Sequence, residues 1–316
     1  MRIVYCGSGT FSVPSLQAVL STTGQELVAV ITQPARAAGR GGKARPTPVA
    51  DAARRAGLEP LECPDINADE SLAQLRALKP DVICVVDFGQ LISQDVIDSA
   101  PRGAFNVHAS LLPELRGAAP VNWAIIRGHR RTGVTTFRIV PAMDAGPIYL
   151  QSATDIGPGE TAEELKARLA RTGAEAVCRT LAMLAAGEAE PREQDHAQAT
   201  TAPRLKKADG IIDWAADAET ICNLVRGTWP WPGAQTVLCR PDGSELPVTV
   251  AAAEVAPGAA EGPPGVLGAD LAVSTGRGRV RIVRIRPAGK RLMAWRDFVN
   301  GYRPQAGDCC RIVTDG

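Results

Sequence analysis

The sequence predicts an α/β domain on a mostly parallel sheet with helices on both faces, followed by a small antiparallel β-barrel. Two observations carry this expectation. The first half alternates short β-branched runs with helix-length stretches, whereas from about residue 209 the chain consists of short β-rich pieces cut by Pro and Gly. Alternation of the first kind gives βαβ crossovers, whose helices cover a parallel sheet. Short strands at the second spacing suit a small barrel. With 316 residues there is length for about two domains.

RIVYCG and LVAVITQ read as the first two strands, with the helix SVPSLQAVLST between them. DVICVVDFG, GAFNVHAS and TGVTTFRIV are the third, fourth and fifth strands, and ADESLAQLRAL and APVNWAIIRG are helical spacers, which makes the first half Rossmann-like. The clearest helix runs from Thr161 to Gly187, opened by a Thr161/Glu164 capping box and carrying an apolar stripe from Leu165 to Leu184. Gly173 in its middle argues against it by ~1 kcal/mol relative to alanine. A polar, turn-rich stretch follows and reads as a connection. The expected organisation is therefore a catalytic domain over residues 1–190, a linker over 191–208 and an OB-like barrel over 209–316. In the barrel, AQTVLC, LPVTVAAAEV, GVLGA, LAVST and RVRIVRIRP are the strands and AETICNLVRG the helix.

Composition excludes several classes. A net charge of +1 gives no global bias toward nucleic acid, so an anionic partner has to meet a local patch, and DNA is not expected as a partner. No run approaches ~20 apolar residues, and the chain opens on a strand pattern without a basic leader, so a cytoplasmic protein with no membrane partner is expected. The eight cysteines form no CxxC, which points to unpaired thiols and to no metal site.

The local basic patch is PARAAGRGGKARPTP, residues 34–48. It is not a P-loop, because Ala37 and Ala44 stand where that motif needs Gly and Ser or Thr. The GSG at Gly7–Gly9 is not a dinucleotide fingerprint either, since Ser12 replaces its third glycine. A basic segment this long and aperiodic is either a binding loop or a solvated one.

The chemistry concentrates in FNVHASLLPELRGAAP. Asn106 and His108 are two apart on an extended segment, so their side chains share one side, at the carboxyl end of a buried strand where open α/β sheets bind ligands. The other two histidines, His129 and His196, sit in polar, solvated contexts. Asp144, in AMDAGPI, taken alone is a turn-former. Beside a strand-end Asn-x-His it becomes a candidate acid or base.

NVHASLLPELRGAAP followed by TGVTTF and DAGPI resembles the folate-dependent formyltransferases, and the resemblance extends through both halves of the chain. GSGTFSVP is similar to that family's GTPxFAVP, TQPARAAGRGGKARPTPV to TQPDRPAGRGKKLxPSPV, and RGTWPWPGA to RAFNPWPGA. PAGKRLMAWRDFVNGYRPQAGD resembles its C-terminal motif. Within that family these motifs resemble those of the branch acting on methionyl initiator tRNA. Departures are Ser8-Gly9 for Thr-Pro, Asp87-Phe88 for Ala-Tyr, and Ala35 and Ala37 for Asp and Pro.

The resemblance implies a catalytic set of Asn106, His108 and Asp144. It implies 10-formyltetrahydrofolate as formyl-donor substrate, held by Phe88, Gly89, Gln90 and Leu91 and by Ser110, Leu111, Leu112 and Pro113. It also implies initiator methionyl-tRNA as acceptor, met by Arg36, Arg40, Lys43 and Arg45, with Lys206 and Lys207 extending the basic surface. Formyl transfer places negative charge on a carbonyl oxygen, which the Asn106 amide and His108 imidazole N–H groups suit, while Asp144 orients the ring and relays protons. Neither a nucleophilic side chain nor a metal is required. Two alternatives stay open at this point: a formyltransferase acting on an amino sugar nucleotide, and a folate- or RNA-binding protein without turnover.

Overall fold

The computed structural model describes residues 1–37 and 44–313. These fall into two compact units, one of Met1–Pro120, Arg131–Asp155 and Lys166–Pro203, the other of Val121–Arg130, Ile156–Leu165 and Arg204 onward. Through the first half the elements are β1 (Arg2–Gly7), α1 (Val13–Ser21), β2 (Glu26–Thr32), β3 (Arg36–Ala37), β4 (Ala44–Arg45), α2 (Pro48–Arg55), β5 (Leu61–Glu62), α3 (Asp69–Ala77), β6 (Val82–Val86), α4 (Gln94–Ile97), β7 (Ala104–His108), α5 (Pro120–Ile126), β8 (Arg131–Arg138), β9 (Ile148–Asp155) and α6 (Ala162–Ala186).

The first unit holds a seven-stranded sheet in the order β5-β2-β1-β6-β7-β8-β9. The pairs from β5 to β7 are parallel, and β7–β8 and β8–β9 are antiparallel. The central strand β6, VICVV, is apolar throughout because both faces are covered: all five of its residues are buried. The chain leaves β1 toward β2 on one side and returns to β6 on the other, which makes the carboxyl edge of β1 and β6 the switch point where such sheets bind ligands.

Strand β9 was not expected from sequence. Its first two residues are buried but the rest alternate between partial burial and exposure, so polar residues such as Gln151 and Thr154 mask an edge strand. Helix α6 starts as the sequence predicts, with the Glu164 carboxylate accepting from Thr161 N at 2.9 Å and the Thr161 hydroxyl accepting from Glu164 N at 3.3 Å. Gly173 is explained by packing: a Cβ there would stand 3.3 Å from Val107 Cγ1, so the bare backbone lets the helix lie close against β7.

The second unit contains α7 (Ala218–Thr228), β10 (Ala234–Cys239), β11 (Glu245–Ala256), β12 (Val273–Ser274), β13 (Arg279–Pro287), β14 (Met293–Ala294), α8 (Trp295–Tyr302) and β15 (Cys309–Arg311). Its strands are ordered β12-β13-β11-β10-β15, with β14 added on β13. The expected strand GVLGA instead closes the barrel, because Val266 bridges to Cys309 of β15 and Leu267 to Val273 of β12, joining the two edges. Inside pack Ile221, Val225, Leu238, Val250, Ile282, Ile285 and Phe298. Helix α8, also not foreseen, supplies the Phe298 ring stacked between Trp295 and Tyr302.

All eight cysteines are free thiols. Burial pushes those of Cys6, Cys84 and Cys310 well up and that of Cys222 to about 12, which makes them inert packing residues. Among the described residues no helix is long and apolar enough to cross a membrane.

Candidate active site

The site assembles at the carboxyl ends of parallel strands. His108 ends β7, whose Val107 pairs with Val86 at the end of β6, so the segments that follow these two strands leave the sheet side by side. The hairpin of β3 and β4 follows β2, which runs parallel to β1, and therefore leaves by the same edge. Topology thus brings Asn106 and His108, the predicted folate segments and the basic segment of the first unit to one edge.

His108 is 6% exposed. Its Nε2 lies 2.8 Å from the Leu115 carbonyl, which can only accept, so this nitrogen carries the proton and Nδ1 is left facing Asp144 Oδ2 at 3.7 Å. That separation is too long for a hydrogen bond. The same carboxylate oxygen accepts from Gly117 N at 2.8 Å. The loop between β8 and β9 therefore folds back to bring Asp144 to His108, although the strand before it runs away from the edge where His108 lies, with Arg138 opposite Phe105. Asn106, on the same side of β7 as His108, has its Oδ1 taken by Val107 N at 2.8 Å, which fixes the amide and leaves Nδ2 as its donor. All three predicted catalytic residues lie in the first unit, and the structure pairs two of them directly.

The predicted folate segments are held from within. The buried Thr135 hydroxyl donates to Ser110 O at 2.7 Å and accepts from Leu112 N at 3.1 Å, and Gln151 Nε2 donates to Leu112 O at 2.8 Å. The Ser110 hydroxyl closes on Glu114 O at 2.6 Å, and the Leu112–Pro113 bond is cis. In the other segment Phe88 is buried, and its carbonyl accepts from Gln33 Nε2 at 2.8 Å. The Gln90 amide is spent on Ile66 N at 2.8 Å and Cys63 O at 2.9 Å, and Gly89 takes φ +81°. Leu91 is 71% exposed and is the one side chain of this segment that offers a large apolar face.

In the basic hairpin Arg36 pairs directly with Arg45, and both are exposed. Arg40 and Lys43 lie outside the described residues. Lys206 and Lys207, in the second unit, are exposed around a short 3₁₀ turn. Sequence reasoning missed Arg116, Gln194 and Thr200, which bond around the His108 and Asp144 loops; polar residues in polar surroundings carry no periodic signal.

Residues 1–181 match the formyl transferase family profile, and residues 204–303 match the formyl transferase C-terminal domain. The methionyl-tRNA formyltransferase of Solibacter usitatus is 45% identical over 309 residues, covering 96% of each chain. The chain belongs to the methionyl-tRNA formyltransferase family. The corresponding protein of Koribacter versatilis is 42% identical over 310 residues, covering 98% of each chain. Among solved structures, the N-formyltransferase of Helicobacter canadensis, in complex with folinic acid and dTDP-3-aminofucose, superposes with TM-score 0.67 over 92% of this chain and all of its own. At 16% identity that likeness concerns the fold.

Two departures from the family's motifs are coupled here. A Cβ at Gly9 would stand 2.0 Å from Asp87 Oδ2, so the Asp87 carboxylate occupies the space that a larger residue at position 9 would need. The same carboxylate lies 3.5 Å from Lys166 Nζ. Gly9→Ala should therefore displace Asp87 and lower stability by about 1 kcal/mol, and adding Asp87→Ala should restore most of the loss. Urea unfolding of the two single variants and the double variant measures the coupling; strictly additive losses would separate the two positions.

Proposed function

We propose that this chain transfers the formyl group of 10-formyltetrahydrofolate to the α-amino group of methionyl initiator tRNA, giving N-formylmethionyl-tRNA for translation initiation. The observation that carries the reading is the contact between His108, buried two residues after Asn106 on β7, and the half-buried Asp144 of the β8–β9 loop, 3.7 Å apart, in a chain of this family. The reaction forms a C–N bond at the formyl carbon and breaks the bond from that carbon to N10. The acceptor amine loses a proton and N10 gains one.

Asn106 Nδ2–H donates to the formyl oxygen as negative charge develops on it. His108 Nε2–H is committed to Leu115, so a donation from the ring comes from Nδ1–H, and the Asp144 carboxylate beside Nδ1 stabilises the charge of the protonated ring. Asp144 takes the proton released by the amine and passes it toward the leaving nitrogen. The pterin subsite rests on Leu91, on the Thr135-pinned Ser110–Pro113 loop and on the Phe88–Gly89 turn. The main chain of both segments is already fixed by internal bonds, so it meets the ligand without reordering.

The basic hairpin supports an RNA acceptor. Two arginines directly opposite on paired strands repel each other, which an isolated protein gains nothing by holding, whereas a phosphate between them is bound by both. Arg40, Lys43, Lys206 and Lys207 extend the same recognition, with the 209–316 barrel acting as a tRNA-binding domain. Replacing Arg36 and Arg45 together by alanine should weaken tRNA binding and flatten the dependence of log K on log salt by up to ~0.7 to 0.9 per lost phosphate contact. Folding stability should stay level or rise. Unchanged affinity and an unchanged salt slope would remove the hairpin from the RNA surface.

The reading as a whole is tested by offering one enzyme preparation and one folate donor to methionyl-tRNA and to a dTDP-amino sugar. Transfer to the tRNA alone is the expected result. Transfer to the sugar alone would reassign the acceptor, and transfer to neither would leave a binding protein.

A further inference from the structure

We infer that Gln194 is a positioning residue for formyl transfer, closing a ring of contacts that holds Asp144 against His108. The inference rests on the function proposed above and goes beyond its catalytic set. Gln194 falls in the polar stretch that reads from sequence as a linker, yet it is 5% exposed. Its amide is fully used. Nε2 donates to Asp144 O at 2.9 Å and to Gly146 O at 2.7 Å, while Oε1 accepts from Arg116 Nη2 at 2.7 Å and Nε at 3.3 Å. A primary amide has two donors and two acceptor positions, and here all four are filled.

The partners matter more than the count. Arg116 follows Leu115, whose carbonyl takes His108 Nε2–H, and precedes Gly117, whose N–H holds Asp144 Oδ2. The path His108, Leu115, Arg116, Gln194, Asp144 and back to His108 is therefore closed, and Gln194 is a second link, beside the Gly117 N–Asp144 Oδ2 bond, joining the loop that orients the imidazole to the loop that carries the carboxylate. The stretch that carries Gln194 runs on as a strap that grips the first loop further along: Leu115 N donates to Thr200 Oγ1 at 2.9 Å, Arg116 N to Thr200 O at 2.8 Å and Ala202 N to Arg116 O at 2.6 Å.

Backbone conformation gives an independent sign that this ring bears strain. Leu115 and Asp144 both adopt left-handed conformations, at φ +59° and +51°. Non-glycine residues disfavour that region, a leucine more than an aspartate, and persist there only where surrounding contacts over-determine them. The residues so held are the one that accepts from His108 and the one that faces its Nδ1. Released from Gln194, the main chain of the Asp144 loop loses its hold and relaxes toward ordinary φ values, and the Gly117 N–H bond alone then sets where the carboxylate stands against the ring nitrogen. Displacements of about 1 Å at a reacting group are enough to cost ~100-fold in rate.

Gln194→Glu keeps the side-chain volume and the contact with Arg116 but loses donation to Asp144 O and Gly146 O; Gln194→Leu loses every bond. In single-turnover transfer from 10-formyltetrahydrofolate to methionyl-tRNA, each should lower the rate at saturating substrate by ~10- to 100-fold, with KM for both substrates within about threefold. The effect should nearly vanish, to under about twofold, when Asp144 is already alanine, because the strap then has no carboxylate to place. Thr200→Val, at an exposed position, should lower kcat by a smaller factor and guards against misfolding of the buried variants. In ¹⁵N spectra, the His108 ring resonances should move in Gln194→Glu, a readout that needs no turnover and so separates this inference from the assignment of the reaction. Equal rate losses with and without Asp144, or unmoved His108 resonances, would overturn the inference and leave Gln194 a buried structural amide.

Discussion

Replacing His108 or Asp144 by alanine is expected to lower kcat for formyl transfer by at least ~100-fold while the protein stays folded. Both side chains lie at the end of β7 or on the loop folded onto it, and neither fills the main core, so truncation removes charge and proton handling more than packing. The two effects should not add. With Nε2 committed to the Leu115 carbonyl, His108 acts through Nδ1, which is the nitrogen that Asp144 faces at 3.7 Å, so losing either partner disables the pair. Asn106→Ala should behave as a separate loss of one oxyanion donor, about 10²- to 10³-fold, and combine more nearly independently. Stopped-flow or quench measurements on the three single variants and the His108/Asp144 double variant decide this, and near-normal turnover in either His108→Ala or Asp144→Ala would exclude the pair from the chemistry.

The second large effect is expected two residues from the carboxylate. A Cβ built on Gly146 would stand 1.8 Å from the backbone oxygen of Arg138. Arg138 N in turn donates to Pro147 O at 2.8 Å, so the two strands of this loop are clamped together at that point and neither side is a flexible side chain that can swing away. Gly146→Ala has to push the backbone apart. Such overpacking against main chain is expected to cost ~2 to 3 kcal/mol or more of folding stability. Because the Gly146 carbonyl is also one of the two acceptors of Gln194, the displacement should reach Asp144 and depress kcat as well as Tm. A variant with unchanged Tm would show that the loop has more room than its geometry allows.

Much of this site was legible from residue types and spacing. Asn106 and His108 announce themselves because a period-two spacing at a strand end puts two side chains on one side, and the strand is recognisable from its apolar neighbours. The capping box at Thr161 and Glu164 is equally local, and its two reciprocal bonds form as the sequence predicts. What escaped depends on long-range packing. Strand β9 pairs at the sheet edge, where Gln151 is exposed, Ser152 and Thr154 are half-buried, and the three break the apolar pattern. Gln151 then turns out to hold the Leu112 carbonyl. Val266 and Leu267 read as a strand of their own but serve as the bridge that closes the barrel. Gln194 looks like linker because its partners, Asp144, Gly146 and Arg116, lie 48 to 78 positions away in sequence. Gly9 and Asp87 look like two unrelated departures from the family's motifs until their separation in space makes them one.

The most direct test of the central claim is single-turnover transfer of labelled formyl from 10-formyltetrahydrofolate to methionyl initiator tRNA, with the wild-type chain compared to Asp144→Ala at equal folate occupancy. The expected result is N-formylmethionyl-tRNA at a rate at least ~100-fold faster in the wild type, with folate binding preserved in the variant. Equal rates in the two proteins, or a wild type that binds the folate yet formylates no methionyl-tRNA, would contradict it.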